Sequence, residues 1–170
     1  IPRDLTIAFN PTALLEVSLP QATGAPITLH AGIQVPRDLT AGPPTFRLNG
    51  AAPSGPYVVA TVDPDAPTPQ MPTSAQIRHF LGGNFHMSSD SRRLTNSTPA
   101  ISEFLQPTPP AGSDAHRYIF LLFRQSRAFS TETLVTPTTP ISLFNISSFA
   151  AATGLGEPIA GTFMLVAPMA

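Results

Sequence analysis

The sequence predicts a mainly β protein, a β-sandwich of two antiparallel sheets with Greek-key connections and one or two short helices. Proline accounts for 21 of the 170 residues, and helix interiors exclude proline because it lacks an N–H donor and clashes with the preceding turn. Apolar segments rich in β-branched and aromatic residues alternate with Gly, Pro and Asn, as strands alternate with turns. Neither an internal repeat nor a change of composition divides the chain, so we expect a single domain over residues 1–170.

Six segments have the composition and the boundaries of strands. In chain order they are residues 26–35, 45–50, 57–62, 76–85, 116–125 and 161–167. Residues 57–62 (YVVATV) and 118–123 (YIFLLF) are apolar almost throughout, which predicts strands covered on both faces. Residues 45–50 (TFRLNG) alternate as a half-exposed strand does.

The clearest helix is predicted over residues 147–156 (SSFAAATGLG). Ser147 or Ser148 can cap its first turn, and the three alanines favour helix. Gly154 can adopt the left-handed conformation that ends many helices.

Composition argues against several classes of function. Nine basic residues, all arginine, stand against ten acidic ones, and no basic stripe suited to nucleic-acid phosphates is present. The chain has no uninterrupted apolar run of the roughly 20 residues that would span a bilayer. With no cysteine, there is no disulfide framework and no thiolate metal site.

Two glycosylation sequons bear on localisation. They begin at Asn96 (NST) and Asn145 (NIS), and Pro99 directly follows the first. Such sites are used on the surface of secreted proteins. The numbering starts at Ile1, which suits a chain whose signal peptide has been removed. We therefore expect a secreted glycoprotein, with a cytoplasmic location as the alternative.

Two aspartates at the end of a predicted strand are candidates for chemistry. Asp63 and Asp65 lie in VDPDAP, and in an extended chain they face the same way, about 6 to 7 Å apart. Pro64 favours that conformation. One reading is a loop in which the aspartates bond neighbouring N–H groups. The enzymatic readings are a glycosidase acid pair and a D-x-D metal motif.

Two of the four histidines lie in strand-like apolar segments and are further candidates. His79 is in RHFLGG, and His116 opens HRYIFLLF. Each can be a core histidine, and two Asp with two His can in principle bind a metal. Arg117 alternates with His116, so it points to the opposite face, where we expect a structural ion pair.

Three motifs together resemble the phosphatidylethanolamine-binding protein family, which includes Raf kinase inhibitor proteins and fungal carboxypeptidase Y inhibitors. They are VDPDAPTP at 62–69, RHFLGGN at 78–84 and PPAGSDAHRYIFLLFRQ at 109–125. Their order and approximate spacing match the family. The amino-acid sequence of these segments is most similar to that of secreted fungal members.

The resemblance implies a β-sandwich with a small anion pocket at one end. Its expected lining is Asp63, Asp65, Pro67, His79, Pro109, His116 and Tyr118. The family's pocket accepts phosphate, acetate and phospholipid head groups such as phosphorylethanolamine, and its members inhibit or regulate other proteins. The resemblance therefore implies a binding protein with no cofactor, resident metal or catalytic residue. A serine carboxypeptidase is a second expected partner, and membrane contact would be peripheral.

The chain departs from the family's pattern at several positions. Thr108 stands where many relatives have glycine, which predicts a difference either in a backbone donor or in the width of the pocket mouth. Arg78 and Ile77 replace a histidine and an aromatic residue of animal members, so we expect Arg78 to add a rim cation for a head-group phosphate. The last residue, Ala170, stands where animal members continue into a C-terminal helix, which predicts a more open pocket.

An anion pocket walled by two acids poses an electrostatic question, because two ionised aspartates repel phosphate. One answer is that His79 or backbone N–H groups supply positive potential, or that one aspartate stays protonated. The other is that the aspartates serve mainly as internal acceptors that hold the loops and an imidazole. The first answer predicts that anion binding strengthens as the pH falls from about 8 to 5.

Overall fold

The computed structural model describes residues 3–170. Its strands are β1 (Ala13–Leu19), β2 (Ile27–Thr28), β3 (Ile33–Gln34), β4 (Thr45–Gly50), β5 (Tyr57–Asp63), β6 (Ile77–Met87), β7 (Arg93–Asn96), β8 (His116–Arg124) and β9 (Ala160–Val166). The helices are α1 (Arg127–Ser130) and α2 (Ile146–Thr153), with 3-10 turns at Arg3–Leu5 and Arg37–Leu39. The predicted mainly β class is confirmed.

The strands form one continuous sheet in the order β2-β1-β4-β7-β6-β5-β8-β9-β3. This arrangement replaces the two separate sheets that the sequence predicts, and β3 pairs with β9 in parallel. The sheet curls until its first and last long strands approach each other. The N–H groups of Thr12 and Ala13 both donate to the carbonyl of Ile159, at 3.0 and 3.3 Å. The two halves of the sheet therefore face each other across a common core.

The single strand expected at residues 26–35 is interrupted by a turn. The N–H of Ile33 donates to the carbonyl of His30 at 2.9 Å, and Gly32 has a φ of +85°. Glycine adopts this left-handed conformation without a steric penalty. As a result β2 pairs with β1 while β3 joins β9.

The central strands are covered on both faces, as their apolar sequences predict. Every residue of β5 is buried. One core cluster fills the space between the facing halves of the sheet and includes Tyr57, Phe46 and Phe120. A second lies on the opposite face and includes Val58 and Phe149, the latter from α2. These two layers fix the end of β5, where the candidate site lies.

The predicted helix is present but is capped earlier than expected. α2 begins at Ile146, and its N-cap is Asn145, whose side chain accepts from the N–H of Ser148. The expectation of a Ser147 or Ser148 cap is therefore wrong, whereas Gly154 ends the helix with a φ of 69° as predicted. Within residues 3–170, no helix is both long and apolar enough to cross a membrane.

Candidate functional site

Four of the predicted site residues meet at one end of the central strands. Asp63 ends β5, His79 lies near the start of β6, and His116 and Tyr118 begin β8. Since β5 pairs antiparallel with both neighbours, these three strand ends lie together. The His79 and Tyr118 rings meet edge to face with centroids 5.0 Å apart. The rings of His116 and Tyr118 stack at 6.3 Å.

Asp63 and His116 form a buried ion pair. His116 Nδ1 lies 2.8 Å from Asp63 Oδ2, and His116 Nε2 lies 3.1 Å from the carbonyl oxygen of Pro67. A carboxylate and a carbonyl can only accept, so both ring nitrogens of His116 donate. Burial opposes this charge, but the hydrogen bond and charge of Asp63 and the Pro67 carbonyl together raise the pKa of His116 above its ordinary value. Ser113 Oγ, 3.0 Å from Nε2, gives its own proton to the Asp114 carbonyl and so also faces Nε2 as an acceptor. These contacts and the raised pKa favour the imidazolium form of His116, which pairs with Asp63.

Asp65 is paired with a different cation. Its Oδ2 accepts from the backbone N–H and Nε of Arg117 at 2.8 and 2.9 Å, and its Oδ1 accepts from Nη2 at 2.6 Å. Burial opposes ionisation, but these bonds and the charge of Arg117 hold the pKa of Asp65 below its ordinary value. Arg117 also binds Asp4, with Nη2 2.6 Å from Asp4 Oδ2. The predicted structural ion pair of Arg117 is thus confirmed.

The two aspartates do not face the same way, so the expectation of an extended acid pair is wrong. The N–H of Asp65 donates to Asp63 Oδ1 at 2.7 Å, a local turn that ends the extended chain. Their partners, His116 and Arg117, are consecutive in β8 and therefore point to opposite faces. This arrangement does not set two carboxylates across a shared space, as a glycosidase pair requires.

Metal binding by the same residues has little geometric support. Over residues 3–170, no group of three or more His, Asp or Glu side chains is arranged to hold a metal ion. Asp65 directs its oxygens to Arg117, and His116 directs its ring nitrogens to internal acceptors. The two-Asp, two-His set considered from sequence is therefore not assembled.

His79 is aimed into the site by a bulge in β6. Thr61 pairs with Phe80 and Val62 with Arg78, so His79 is the extra residue. Such bulges redirect side chains. His79 Nδ1 lies 2.7 Å from the carbonyl oxygen of Leu105, which can only accept, so Nδ1 carries the proton and Nε2 is the nitrogen that titrates.

The protonation states of His79 and Tyr118 follow from their surroundings. Burial lowers the pKa of His79, an effect that the Leu105 carbonyl and the charge of Asp63 only partly offset. Burial and the Asp63 carboxylate raise the pKa of Tyr118 well above its ordinary value. His79 is thus neutral near neutral pH, and Tyr118 keeps its hydroxyl proton as a hydrogen-bond donor.

The two predicted prolines lie in different surroundings. Pro67 is exposed, and its carbonyl accepts from His116. Pro109 is buried in the segment before β8, while its neighbour Thr108 is exposed. Contact of either proline with a ligand stays a prediction.

The expectation that Arg78 adds a cation to the pocket rim is wrong. Arg78 is only 2% exposed, and its Nε donates to Ser102 Oγ at 2.7 Å. Its guanidinium lies 5.2 Å from the centre of the Phe144 ring, in the core cluster on the opposite face of the sheet from Tyr118.

Sequence reasoning missed two residues that hold the site. The backbone N–H of Leu105 donates to the carbonyl of His79, and the carbonyl of Leu105 accepts from His79 Nδ1. Ser113 Oγ lies 3.0 Å from His116 Nε2. Ser113 stands three positions before His116 and could have been considered as a local partner. Nothing in the sequence marks Leu105, because its contribution is a backbone carbonyl.

Comparison with known proteins agrees with this architecture. The family model described as phosphatidylethanolamine-binding protein matches residues 18–164. Protein MOTHER of FT and TFL1 homolog 2 from Oryza sativa subsp. japonica is 30% identical over 118 residues. That match covers 69% of this chain and 63% of the rice protein, so the chain spans less than two thirds of that relative's length.

Solved structures share the fold at lower identity. A carboxypeptidase Y inhibitor, crystallised with its cognate proteinase, is similar with a TM-score of 0.79 and 20% identity, over 98% of this chain and 90% of that one. Phosphatidylethanolamine-binding protein from Plasmodium vivax gives a TM-score of 0.68 and 15% identity, over 95% and 88% of the two chains. These likenesses show the fold, and the match over residues 18–164 shows that the chain belongs to the phosphatidylethanolamine-binding protein family.

Proposed function

We propose that this protein is a binding and regulatory protein without catalytic activity, and that its site takes phosphate or the phosphate of a phospholipid head group. One observation carries the proposal: each aspartate already has a cation of the protein, His116 for Asp63 and Arg117 for Asp65. The electrostatic obstacle to an anion is thereby reduced. Family membership supports the binding role.

The donors nearest to the anion are His79 and Tyr118, whose hydroxyl would turn to the anion from the Asp63 carboxylate. Nδ1 of His79 is held by Leu105, which leaves Nε2 to donate once it is protonated. The Tyr118 hydroxyl stays protonated across the neutral range because burial and Asp63 raise its pKa. A phosphate oxygen accepting from both groups would gain charge-assisted hydrogen bonds, which are the stronger kind.

Calorimetric titration tests this assignment. Sulfate is the sharpest probe because its own charge does not change over the range in which His79 titrates, and phosphate and phosphorylethanolamine follow. Since burial lowers the pKa of His79, sulfate affinity should rise mainly below about pH 6.5. His79→Ala should remove this rise, whereas His86→Ala, which alters an exposed histidine, should leave it intact. Sulfate affinity that does not change with pH, or that His79→Ala leaves unaltered, would contradict the proposed anion site.

Vesicle sedimentation separates a lipid head group from free phosphate. Binding to phosphatidylethanolamine vesicles, competed by phosphorylethanolamine and lost in His79→Ala, identifies a peripheral lipid-binding protein. Binding of phosphate in solution without vesicle binding identifies the free anion as ligand.

Proteinase inhibition is a second candidate function. The supporting observation is the similarity to a carboxypeptidase Y inhibitor, which extends over 98% of this chain. The proposed partner is a serine carboxypeptidase. Carboxypeptidase Y assayed with a chromogenic peptide should lose activity as this protein is added, and full activity at a large excess of the protein would rule this candidate out.

A further inference from the structure

A cavity lies on the opposite face of β6 from His79. It has a volume of about 480 Å³, within the range of small-molecule sites. It is bounded by α2 and by the segment at 134–145 that leads into this helix. Its apolar lining includes Leu134, Val135, Leu143, Phe144, Phe149 and Ala152.

Arg78 lines this cavity and is the charged residue of its wall. Its guanidinium donates to the carbonyl oxygens of Thr139 and Pro140 at 2.8 and 3.2 Å, and to Ser102 Oγ at 2.7 Å. The Phe144 ring lies beneath it. Five N–H groups belong to a guanidinium, so within the described chain these three bonds leave two donors for a ligand.

Arg78 forms no salt bridge with an acid of the described chain, and the charge of Glu132 acts on it only from a longer distance. Among residues 3–170, no carboxylate lies within 4.0 Å of its guanidinium, whereas Arg117 binds both Asp4 and Asp65. An arginine side chain keeps its charge in proteins. A buried charge without a directly paired counter-ion is costly, so an anion reaching Arg78 would be favoured by charge complementarity.

The rim of the cavity is apolar and exposed. Leu143 is 71% exposed and Leu134 is 59% exposed. Leu143 also has a φ of 60°, a left-handed conformation that branched side chains rarely adopt. An exposed leucine held in a strained backbone beside a cavity is typical of a ligand-binding surface.

We propose that this cavity binds a single-chain amphiphile with a carboxylate head, such as a medium-chain fatty acid. The carboxylate accepts from the two remaining N–H groups of Arg78, which suit its two oxygens. The alkyl chain lies along the apolar wall between Phe144, Phe149 and the rim leucines. This site shares no residue with the proposed anion site around His79. Either proposal can therefore be wrong while the other is right.

A purely structural role of Arg78 is the competing account. Its side chain ties the 139–140 segment to β6, and its backbone N–H donates to the Ile141 carbonyl at 2.9 Å. Replacing Arg78 would therefore disturb folding as well as binding. The cavity is better blocked from its edge, where Ala152 is exposed and lines it, while the neighbouring Ala151 is exposed without lining it.

The test compares decanoate with the neutral decanol by calorimetry at neutral pH, using the wild-type chain, Ala152→Phe and the matched control Ala151→Phe. We expect decanoate to bind wild type at least about tenfold more tightly than decanol, as one charge-assisted contact predicts. Ala152→Phe should weaken decanoate binding by about tenfold or more, because the ring fills the cavity, and Ala151→Phe should not. His79→Ala should bind decanoate normally.

Three results would overturn the proposal. Equal affinity for decanoate and decanol shows that Arg78 does not recognise the head group. Equal effects of Ala152→Phe and Ala151→Phe place the ligand elsewhere. Binding of neither probe leaves Arg78 with the structural role alone.

Discussion

His116 Nδ1 lies 2.8 Å from Asp63 Oδ2, with both side chains almost fully buried. The other ring nitrogen of His116 donates to the carbonyl of Pro67. Both donors of the ring are therefore used inside the protein, and its charge neutralises Asp63. The pair is therefore a fixed structural element beneath the site, and the groups left for a ligand are His79 and Tyr118.

Removing the imidazolium should destabilise the protein in a pH-dependent way. His116→Gln leaves Asp63 buried without its cation, at a cost of about 3 to 5 kcal/mol. Because the folded-state pKa of His116 is raised, its contribution is fully present below about pH 6.5 and is lost as the pH rises through the raised value. Urea denaturation should therefore show a gap between wild type and His116→Gln that narrows in alkaline solution. A gap that widens there contradicts the ion pair, and His86→Gln is the control.

Removing the partner of Asp65 should have the opposite pH dependence. Arg117→Met leaves the buried carboxylate unpaired and should cost about 3 to 5 kcal/mol near neutral pH. The folded-state pKa of Asp65 is lowered, so its contribution is present above about pH 4 and is lost as the pH falls through the lowered value. Acid should thus reduce the difference between Arg117→Met and wild type.

Arg47→Met provides the matched control for Arg117→Met. Its partner Glu16 lies 4.0 Å away, and the two side chains are 50% and 37% exposed, so the loss should be below about 1 kcal/mol. Equal losses from the two arginine variants would refute the distinct role of Arg117.

The two roles of Asn145 can be separated by substitution. Its Oδ1 caps α2 by accepting from Ser148, so Asn145→Ala should cost about 1 kcal/mol of stability. Asn145→Asp keeps an acceptor at the cap and should be nearly neutral. Both variants remove the sequon.

Glycan analysis of the native protein then tests the expected secretion. Asn96 and Asn145 are both exposed, so mass spectrometry should find glycans there if the protein passes through the secretory route. Two unmodified asparagines in protein from its natural source would favour the cytoplasmic alternative.

Leu143 offers a stabilising substitution. Asparagine tolerates a positive φ better than leucine, so Leu143→Asn should raise the free energy of unfolding by about 1 kcal/mol. Leu134→Asn changes a leucine of similar exposure that is not among the residues of positive φ, and it should shift stability by less than about 0.5 kcal/mol. Destabilisation by Leu143→Asn beyond that of the control would contradict backbone strain at this position.

The fold was predictable where sequence and packing agree. The apolar runs of β5 and β8 are long enough to reveal strands covered on both sides, and Gly154 marks the end of α2. β1 was missed because its Ala, Leu and Glu residues favour helix, whereas its observed conformation depends on pairing with β4. The curl of the sheet likewise depends on long-range pairing that no local pattern encodes.

The site was predictable in its residue types but not in its pairings. Strand alternation places Arg117 and His116 on opposite faces of β8, yet it does not predict which aspartate each cation binds. The turn at Asp65 and the bulge at His79 both change where a side chain points. The bulge at His79 also changes the face on which the preceding residue, Arg78, lies. Strand alternation alone therefore did not predict that the Arg78 guanidinium lies on the opposite face of the sheet from Tyr118.

Nitrogen chemical shifts of the histidine rings, measured by NMR as a function of pH with and without sulfate, test the central claim most directly. We predict that at about pH 6.5 both ring nitrogens of His116 are protonated and that sulfate leaves them unchanged. In the same titration His79 should carry a proton on Nδ1 alone, and sulfate should raise the pH at which Nε2 gains one. A neutral His116 at this pH, or a His79 titration that sulfate does not move, would contradict the account.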